Sequence, residues 1–310
     1  MSHDSRIRVA LAGDDRYVPY LGTALFSLLE NRNQARPIDV FIAGKNLSEQ
    51  STGKLAALCR QHGCTVTFLA VDQRRLAGVP NIGRFGDVNC YRLLLPDLID
   101  ASIEKVLYLD GDVIVLGPLD KLWDIDLEGL PLAAAKDATQ PHPDLGLPAG
   151  EPGLNSGVLL MNLRYWRENG LSEKAVAFLA DPSNRPRIRF PDQDALTVLL
   201  RGKWKPVPQV FNAQAAFFIP SSEPLAFDEA ERSEVTRSPV VVHYCVRRKP
   251  WHYLCSHPLR GVYWEYAKRG PWPRQRVVGV TPKNVARRLL RSFVGRPGRR
   301  NAVRQGERHG

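Results

Sequence analysis

Asp110 and Asp112 stand two residues apart in the segment KVLYLDGDVIVLG (105–117), whose other side chains are mostly aliphatic. A run this apolar reads as a strand buried on both faces, and side chains two apart on an extended chain point the same way. Two ionised carboxylates side by side in a low dielectric repel each other, so the pair predicts a divalent cation between them. The competing reading is a pair of solvated acids at a strand end. Gly111, between them, allows close backbone approach to a ligand. The chain has 19 Asp, and three Asp-x-Asp pairs occur, where about one is expected by chance. The pair Asp124/Asp126 in LWDIDLEGL reads as acids that cap or flank a helix. Asp192/Asp194 in PDQDAL fits a helix N-cap with a first-turn acid.

Two further groups fall near these acids if the strands lie side by side. Asp14 and Asp15 follow the first apolar run, and His243 and Lys249 follow or end the last one, SPVVVHYC (238–245). Asp, Asp and His form a mixed oxygen and nitrogen set that suits Mn²⁺, and Mg²⁺ less well, because Mg²⁺ prefers oxygen and retains water. Three side chains leave coordination positions open to a substrate diphosphate. Lys249 then supplies a point charge and Arg92, in NCYRLLLP, a fork of donors.

These residues need a scaffold that gathers strand ends. Strand-like runs at 7–13, 38–44, 65–71 and 105–117 alternate with helical spacing at 17–32 and 47–63, the second opening on Ser48 as an N-cap. The alternation predicts an α/β fold with a doubly wound, mostly parallel sheet, in which ligands bind beyond the carboxyl ends of the strands. Residues 130–138 and 157–166 read as strands or strand starts, 194–202 as helical and 238–245 as a last buried strand. The loop at 139–153 is long enough to bind something. There are no internal repeats, no G-x-G-x-x-G and no P-loop.

A chain of 310 residues with 44% hydrophobic content can bury one large core, with or without an appendage. No apolar run reaches the 18 residues of a membrane span, and no secretory leader is evident. Five cysteines, an odd number without a C-x-x-C pair, fit the cytoplasm, and Cys59 and Cys64 read as packing residues. The net charge of +11 is uneven: residues 281–310 hold nine Lys/Arg against one Glu. Within them NVARRLLRSFV (284–294) places Val285, Leu289, Leu290, Phe293 and Val294 on one helical face. Such a segment predicts a helix lying on an anionic membrane surface, each Arg contributing about 1 kcal/mol. A disordered solubilising tail is the plainer alternative. Nucleic-acid binding is not expected, because no aromatic interleaving or known module accompanies the charge.

Taken in order, ALAGDDRYVPYLGTALFSL, YRLLLPDLI, KVLYLDGDVIV, LDKLWDIDL, AAAKD, LNSGVLLMNLRYWR, DQDAL and VVHYC…KPWH resemble the retaining glycosyltransferases of family 8. That family includes bacterial lipopolysaccharide galactosyl- and glucosyltransferases and glycogenin, and the resemblance spans about residues 7 to 255. It implies a GT-A-type, Rossmann-like domain over 1–272 with a basic tail over 273–310, on the inner face of the membrane. It implies a UDP-hexose donor and a saccharide or lipid-linked saccharide acceptor. Asp110, Asp112 and His243 become Mn²⁺ ligands, with both phosphates completing the shell. Asp14, Asp15 and Tyr17 are expected around uridine, Lys249 on the diphosphate, and Arg92, Asp137, Asn155, Asp192 and Gln193 on the donor sugar. Gln193 is placed nearest the reacting carbon, where an amide stabilises an oxocarbenium-like transition state. The sequence departs from the family pattern at Arg16, at Cys90 and at Val246-Arg247-Arg248. A branched Val does not take φ > 0 cheaply, so Val246 bears on how that loop folds. The rival readings are a metal-dependent nucleotidyltransferase and a non-catalytic module that binds nucleotide-sugars or membranes.

Overall fold

Uninterrupted apolar runs form the centre of the molecule, as expected for strands covered on both faces. The computed structural model describes residues 6–80, 87–141, 143–148, 150–221 and 223–294. Ten strands occur among them: β1 Ile7–Asp14, β2 Ile38–Lys45, β3 Thr65–Ala70, β4 Lys105–Leu109, β5 Val113–Val115, β6 Leu132–Lys136, β7 Leu154–Asn162, β8 Lys205–Pro206, β9 Ala213–Gln214 and β10 Val241–His243. The helices are α1 Val18–Asn31, α2 Glu49–Gln61, α3 Leu95–Leu98, α4 Asp120–Trp123, α5 Leu163–Glu168, α6 Leu171–Ala180, α7 Pro191–Leu199, α8 Glu229–Arg237, α9 Arg260–Arg269 and α10 Pro282–Val294.

A seven-stranded sheet runs in the order β3-β2-β1-β4-β7-β6-β8, and a second, three-stranded sheet in the order β5-β10-β9. The large sheet is mixed but mostly parallel, since only β4/β7 and β6/β7 are antiparallel. Its two faces carry separate cores. Val9, Leu11, Leu107 and Leu109 pack with Leu21 and Leu25 of α1, whereas Ala10, Tyr108 and Met161 pack with Trp166 and Leu196 on the other side.

The expected single strand over 105–117 is corrected. It breaks at Asp110-Gly111-Asp112, and its halves belong to different sheets. The Asp110 amide still donates to Gly157 O of β7 (2.8 Å), and Asp112 O already accepts from the Tyr244 amide beyond β10 (3.0 Å). Each acid is therefore anchored to its own sheet. The predicted strand over 157–166 also changes element. β7 begins at Leu154 and stops at Asn162, whose side chain accepts from the Tyr165 amide (3.0 Å) and caps α5. The helix expected over 194–202 begins instead at Pro191, a first-turn proline whose missing N–H has no partner to lose. Phe190 rather than Asp192 is its N-cap; Asp194 reaches back to the amides of Arg189 and Phe190 (2.7 and 2.8 Å). α2 does open on Ser48, which accepts from the Ser51 amide (3.2 Å). Positions 142 and 149 of the predicted loop, and the tail beyond 294, lie outside the described residues.

The second sheet is backed by its own cluster of Ile114, Val242, Tyr244, Trp251 and Tyr263. His257 sits between the rings of Phe218 and Tyr244 (centroids 5.1 and 4.8 Å). It accepts from the Leu259 amide through Nδ1 (3.2 Å), and its Nε2 has no partner. Burial pushes this imidazole down to about 4. The unfolded chain then binds the extra proton more readily, so stability is present above the ordinary histidine value and is lost as pH falls from about 6.5 toward 4. Relative to His257→Gln, the wild type should lose about 2–3 kcal/mol more between pH 7.5 and 4.5. Urea melts of both proteins at the two pH values measure this difference, and parallel curves would disprove it.

The chain after α9 is fastened to the body. Gln275 donates to Pro19 O (2.9 Å) and Thr23 Oγ1 (2.7 Å), and Trp272 lies so close over Gly22 that a Cβ there would meet it at 2.3 Å. The predicted amphipathic helix forms as α10. Its Arg288 covers the Tyr253 ring (4.9 Å), while Leu289 and Leu290 are 56% and 63% exposed. Among the described residues no helix is long and apolar enough to cross a membrane.

Candidate active site

The seam between the two sheets brings Asp110, Asp112 and His243 together, with one ligand atom from each lying within 4.8 Å of the others. His243 closes β10, whose register pairs it with Val113 of β5, beside Asp112. Its Nε2 faces Asp112 Oδ1 at 3.4 Å and Asp110 Oδ2 at 3.7 Å. On the other side of the ring, Nδ1 meets Asn212 Oδ1 at 2.9 Å. An amide oxygen only accepts, so Nδ1 carries a proton and Nε2 is the nitrogen turned toward the acids. Asn212 is oriented in turn by donating to Asn155 Oδ1 (2.9 Å), which also accepts from the Gly157 amide (3.1 Å). The imidazole rests directly against β7: a Cβ on Gly157 would come within 2.2 Å of its Cε1. Two carboxylates and an imidazole whose Nε2 is turned inward are a donor set that fits a divalent cation.

Charge around the set is nearly closed by the protein itself. Burial alone would raise the Asp112 carboxyl, yet the Lys249 ammonium and His243 outweigh it and hold it well below the usual range. Lys249 bonds Asp112 Oδ2 and donates to Tyr244 O (2.9 Å). Arg92 is 3% exposed. It donates to Asp110 Oδ1 (2.6 Å), Ser156 O (2.5 Å) and Asn89 O (3.0 Å), and its Nε lies 3.2 Å from Asp192 Oδ2. Tyr108 adds a hydroxyl to Asp110 Oδ1 (2.8 Å). Arg92 thus ties Asp110 to the first turn of α7. Burial raises the Asp192 carboxyl and Arg92 opposes the shift, while Ser156 Oγ donates to it (2.7 Å).

Gln193, one residue on, donates to Asp137 Oδ2 (2.6 Å) and accepts from the Ser156 amide (3.3 Å), which fixes its amide orientation. Asp137 also takes Thr139 N and Oγ1 (both 2.8 Å). Asn155, expected on the donor sugar, is 5% exposed and links Asp137 to Asn212. Asp14 and Asp15 line a cavity of about 280 Å³ at the ends of β1 and β2. Tyr17 lies between that cavity and the acids, edge-on to Tyr20 and Trp251 (5.4 and 5.8 Å). Its ring leaves 2.8 Å for a Cβ on Gly111, so any larger residue between the two acids would displace it. At Val246 the backbone avoids positive φ; its amide donates to Tyr244 O (2.7 Å), closing a tight turn that a branched residue accepts. Sequence reasoning did not reach Asn212, Tyr108, Ser156 or Gly157. Asn212, in VFNAQ, belongs to no spacing that would have drawn attention to it.

Comparison with known proteins agrees with this geometry. The model of glycosyl transferase family 8 matches residues 8–255. The chain is 28% identical over 276 residues to general stress protein A of Bacillus subtilis, covering 88% of this chain and 96% of that one. It is 26% identical to a lipopolysaccharide 1,2-glucosyltransferase of Escherichia coli (86% and 79% covered) and 25% identical to a lipopolysaccharide 1,3-galactosyltransferase of Salmonella typhimurium (87% and 80%). The crystal structure of the galactosyltransferase LgtC with donor and acceptor sugar analogs superposes with a TM-score of 0.74 at 27% identity, covering 90% of this chain and 99% of that one. An LgtC-like GT-A sheet, a seam with a D-x-D-and-histidine cluster, and a family match over most of its length lead to one statement: the chain belongs to glycosyl transferase family 8, a family of retaining enzymes.

Proposed function

We propose that this enzyme transfers a hexose, glucose or galactose, from UDP-hexose to a saccharide acceptor of the lipopolysaccharide type, keeping the anomeric configuration. The observation that carries the reading is the convergence of Asp110, Asp112 and His243 within 4.8 Å, joined to relatives named for hexosyl transfer to lipopolysaccharide. These three residues would hold Mn²⁺, with Mg²⁺ a poorer match to the nitrogen ligand. Bound there, the metal supplies positive charge toward the departing diphosphate, an effect worth several kcal/mol. Lys249, already beside Asp112, adds a second positive charge on that side. Arg92 holds Asp110 and Asp192 in fixed relation, so the metal side and the sugar side keep their spacing. Gln193 and Asp137 form a hydrogen-bonded wall whose carbonyl and carboxylate dipoles stabilise positive charge developing at the anomeric carbon. The carbon–oxygen bond to the diphosphate breaks, and the acceptor hydroxyl adds on the same face, its proton passing to the diphosphate oxygen that the broken bond has freed.

Incubation with UDP-glucose or UDP-galactose and Mn²⁺ tests the reading. Free UDP should appear, and faster when a lipopolysaccharide-core acceptor is supplied. Pyrophosphate release would instead identify a nucleotidyltransferase, and tight UDP binding without any turnover a non-catalytic module.

The acceptor class agrees with a second element of the proposal, attachment to an anionic membrane through α10 on its cytoplasmic face. Leu289 and Leu290 lie exposed beside Arg287 and Arg288, and the last thirty residues are strongly basic. Removing residues 281–310 should abolish sedimentation with anionic liposomes while transfer to a soluble acceptor survives. Unchanged liposome binding would exclude the tail as the anchor.

A further inference from the structure

The segment DPSNRPRIRF (181–190) carries three arginines that take no part in the site described above. Arg185, Arg187 and Arg189 precede the first turn of α7, which presents Asp192 and Gln193. Between them Ile188 is buried in the same core as Leu196 of α7, so the segment is seated on the body of the fold. Its end is fastened to the site itself. The amides of Arg189 and Phe190 both donate to Asp194 Oδ2 (2.7 and 2.8 Å), and Gln193, the neighbour of Asp194, donates to Asp137 Oδ2 (2.6 Å). The Asp137 amide in turn reaches Gly153 O (2.9 Å) and closes the base of the loop 138–152. Gly146 of that loop lies against Arg187, whose Nη1 would stand 3.9 Å from a Cβ there. The arginines therefore border the Gln193–Asp137 wall on the side where this loop stands.

Their charge is left open by the fold. Among the described residues, none of the three guanidinium groups makes a hydrogen bond or an ion pair. Asp181, the only acid of the segment, accepts from the Ser183 amide (2.8 Å) rather than pairing with an arginine. Arg185 and Arg189 are exposed, and Arg187 is half-buried. It lies over the Phe178 ring (5.3 Å), and its Nε is shut away from water without a partner. A guanidinium is a planar fork of donors that matches the paired oxygens of a phosphate or a carboxylate. Partly desolvated and without a counter-ion, Arg187 attracts such an oxyanion more strongly than a fully hydrated cation does.

We infer that Arg185, Arg187 and Arg189 bind an oxyanion, a phosphate or a carboxylate, carried by the saccharide acceptor near the hydroxyl that receives the hexose; this rests on the hexosyl-transfer reading above. The acceptor is then selected for its charge as well as for its sugar. An anionic lipid surface would also attract arginines, but this strip is fastened through Asp194 to the turn that holds Gln193, and not to α10, which favours the acceptor.

A lipopolysaccharide core oligosaccharide tests this as acceptor in three forms: intact, stripped of phosphate with hydrofluoric acid, and with its carboxylates reduced to alcohols. For the wild type, acceptor KM should rise about tenfold or more with one of the two neutralised forms, and which one identifies the oxyanion. The triple variant Arg185→Gln/Arg187→Gln/Arg189→Gln should show the raised KM with all three forms, while kcat and donor KM stay within about twofold of wild type. Added salt should weaken the intact acceptor for the wild type and not for the variant. Arg185→Gln and Arg189→Gln, on exposed side chains, should each raise KM about two- to fivefold and carry the test if the loss of Arg187 unfolds the protein. An intact-acceptor KM shared by wild type and variants, or a wild-type KM indifferent to both neutralisations, would overturn this inference alone. So would a triple variant that loses sedimentation with anionic liposomes at an unmoved acceptor KM, which would give the strip to the membrane. A wild type that releases no UDP from either donor, or whose release no form of the oligosaccharide accelerates, overturns it together with the reading beneath it.

Discussion

Asp110→Asn or Asp112→Asn is expected to lower turnover with a UDP-hexose donor at least about 100-fold, close to 3 kcal/mol of transition-state stabilisation. Each substitution removes one of the two negative charges that, with His243, define the seam. The effect should exceed that of an ordinary charge change because the groups around the acids are themselves buried: Asp112 is 6% exposed and His243 3%. The two variants should differ in stability. Asp110→Asn leaves Arg92 with Asp192 as its remaining anionic partner, whereas Asp112→Asn deprives the half-exposed Lys249 of its anion and solvent can compensate. Asp126→Asn is the control. It alters another Asp-x-Asp, on an exposed side chain that only caps the Glu128 amide (2.9 Å), and should stay within about twofold of wild type. Initial rates for the three proteins decide the matter, and wild-type rates in both Asp110 and Asp112 variants would refute the metal role.

A single methyl group on β7 should be nearly as damaging. In Gly157→Ala the new Cβ would lie 2.2 Å from His243 Cε1 and 2.7 and 2.9 Å from the two ring nitrogens. The strand has little freedom to retreat, because Gly157 O accepts from Asp110 and Gly157 N donates to Asn155. The imidazole must therefore leave the seam, with an overpacking cost of about 1–3 kcal/mol. Mn²⁺ affinity should fall at least about tenfold and turnover at least about 100-fold, although no ligand has been altered. Gly53→Ala on α2 meets nothing within 4 Å and should instead stabilise the protein by roughly 0.5–1 kcal/mol. Metal titration by electron paramagnetic resonance, together with thermal melts, tests both. Wild-type Mn²⁺ binding in Gly157→Ala would show that the ring does not need that surface.

The fold class was readable because β1, β2 and β3 are separated by helices of clear periodicity, and because strands covered on both faces are apolar throughout. The antiparallel insertion of β7 between β4 and β6 was not, since LNSGVLLMN has the same composition in either direction. Nor was the break at Gly111: apolar residues continue on both sides of it, and nothing in the pattern marks a change of sheet. His243 was accessible as a polar residue ending an apolar run. What fixes its ring was not, because Asn212 and Gly157 are remote in sequence and act through one hydrogen bond and one missing side chain. Arg92 was expected to present its donors to a ligand. In the fold its guanidinium is occupied by two carboxylates and two carbonyls, a role that depends on neighbours brought together only by the tertiary structure.

The link at Gly111 has a mechanical corollary. One acid rides on the seven-stranded layer and the other on the three-stranded layer, so the distance between their oxygens is a bite set by how the layers are hinged. Substitutions on β9, whose Gln214 is the register partner of His243, should widen or narrow that bite and shift the size of ion it fits, while Asp110, Asp112 and His243 all stay the same.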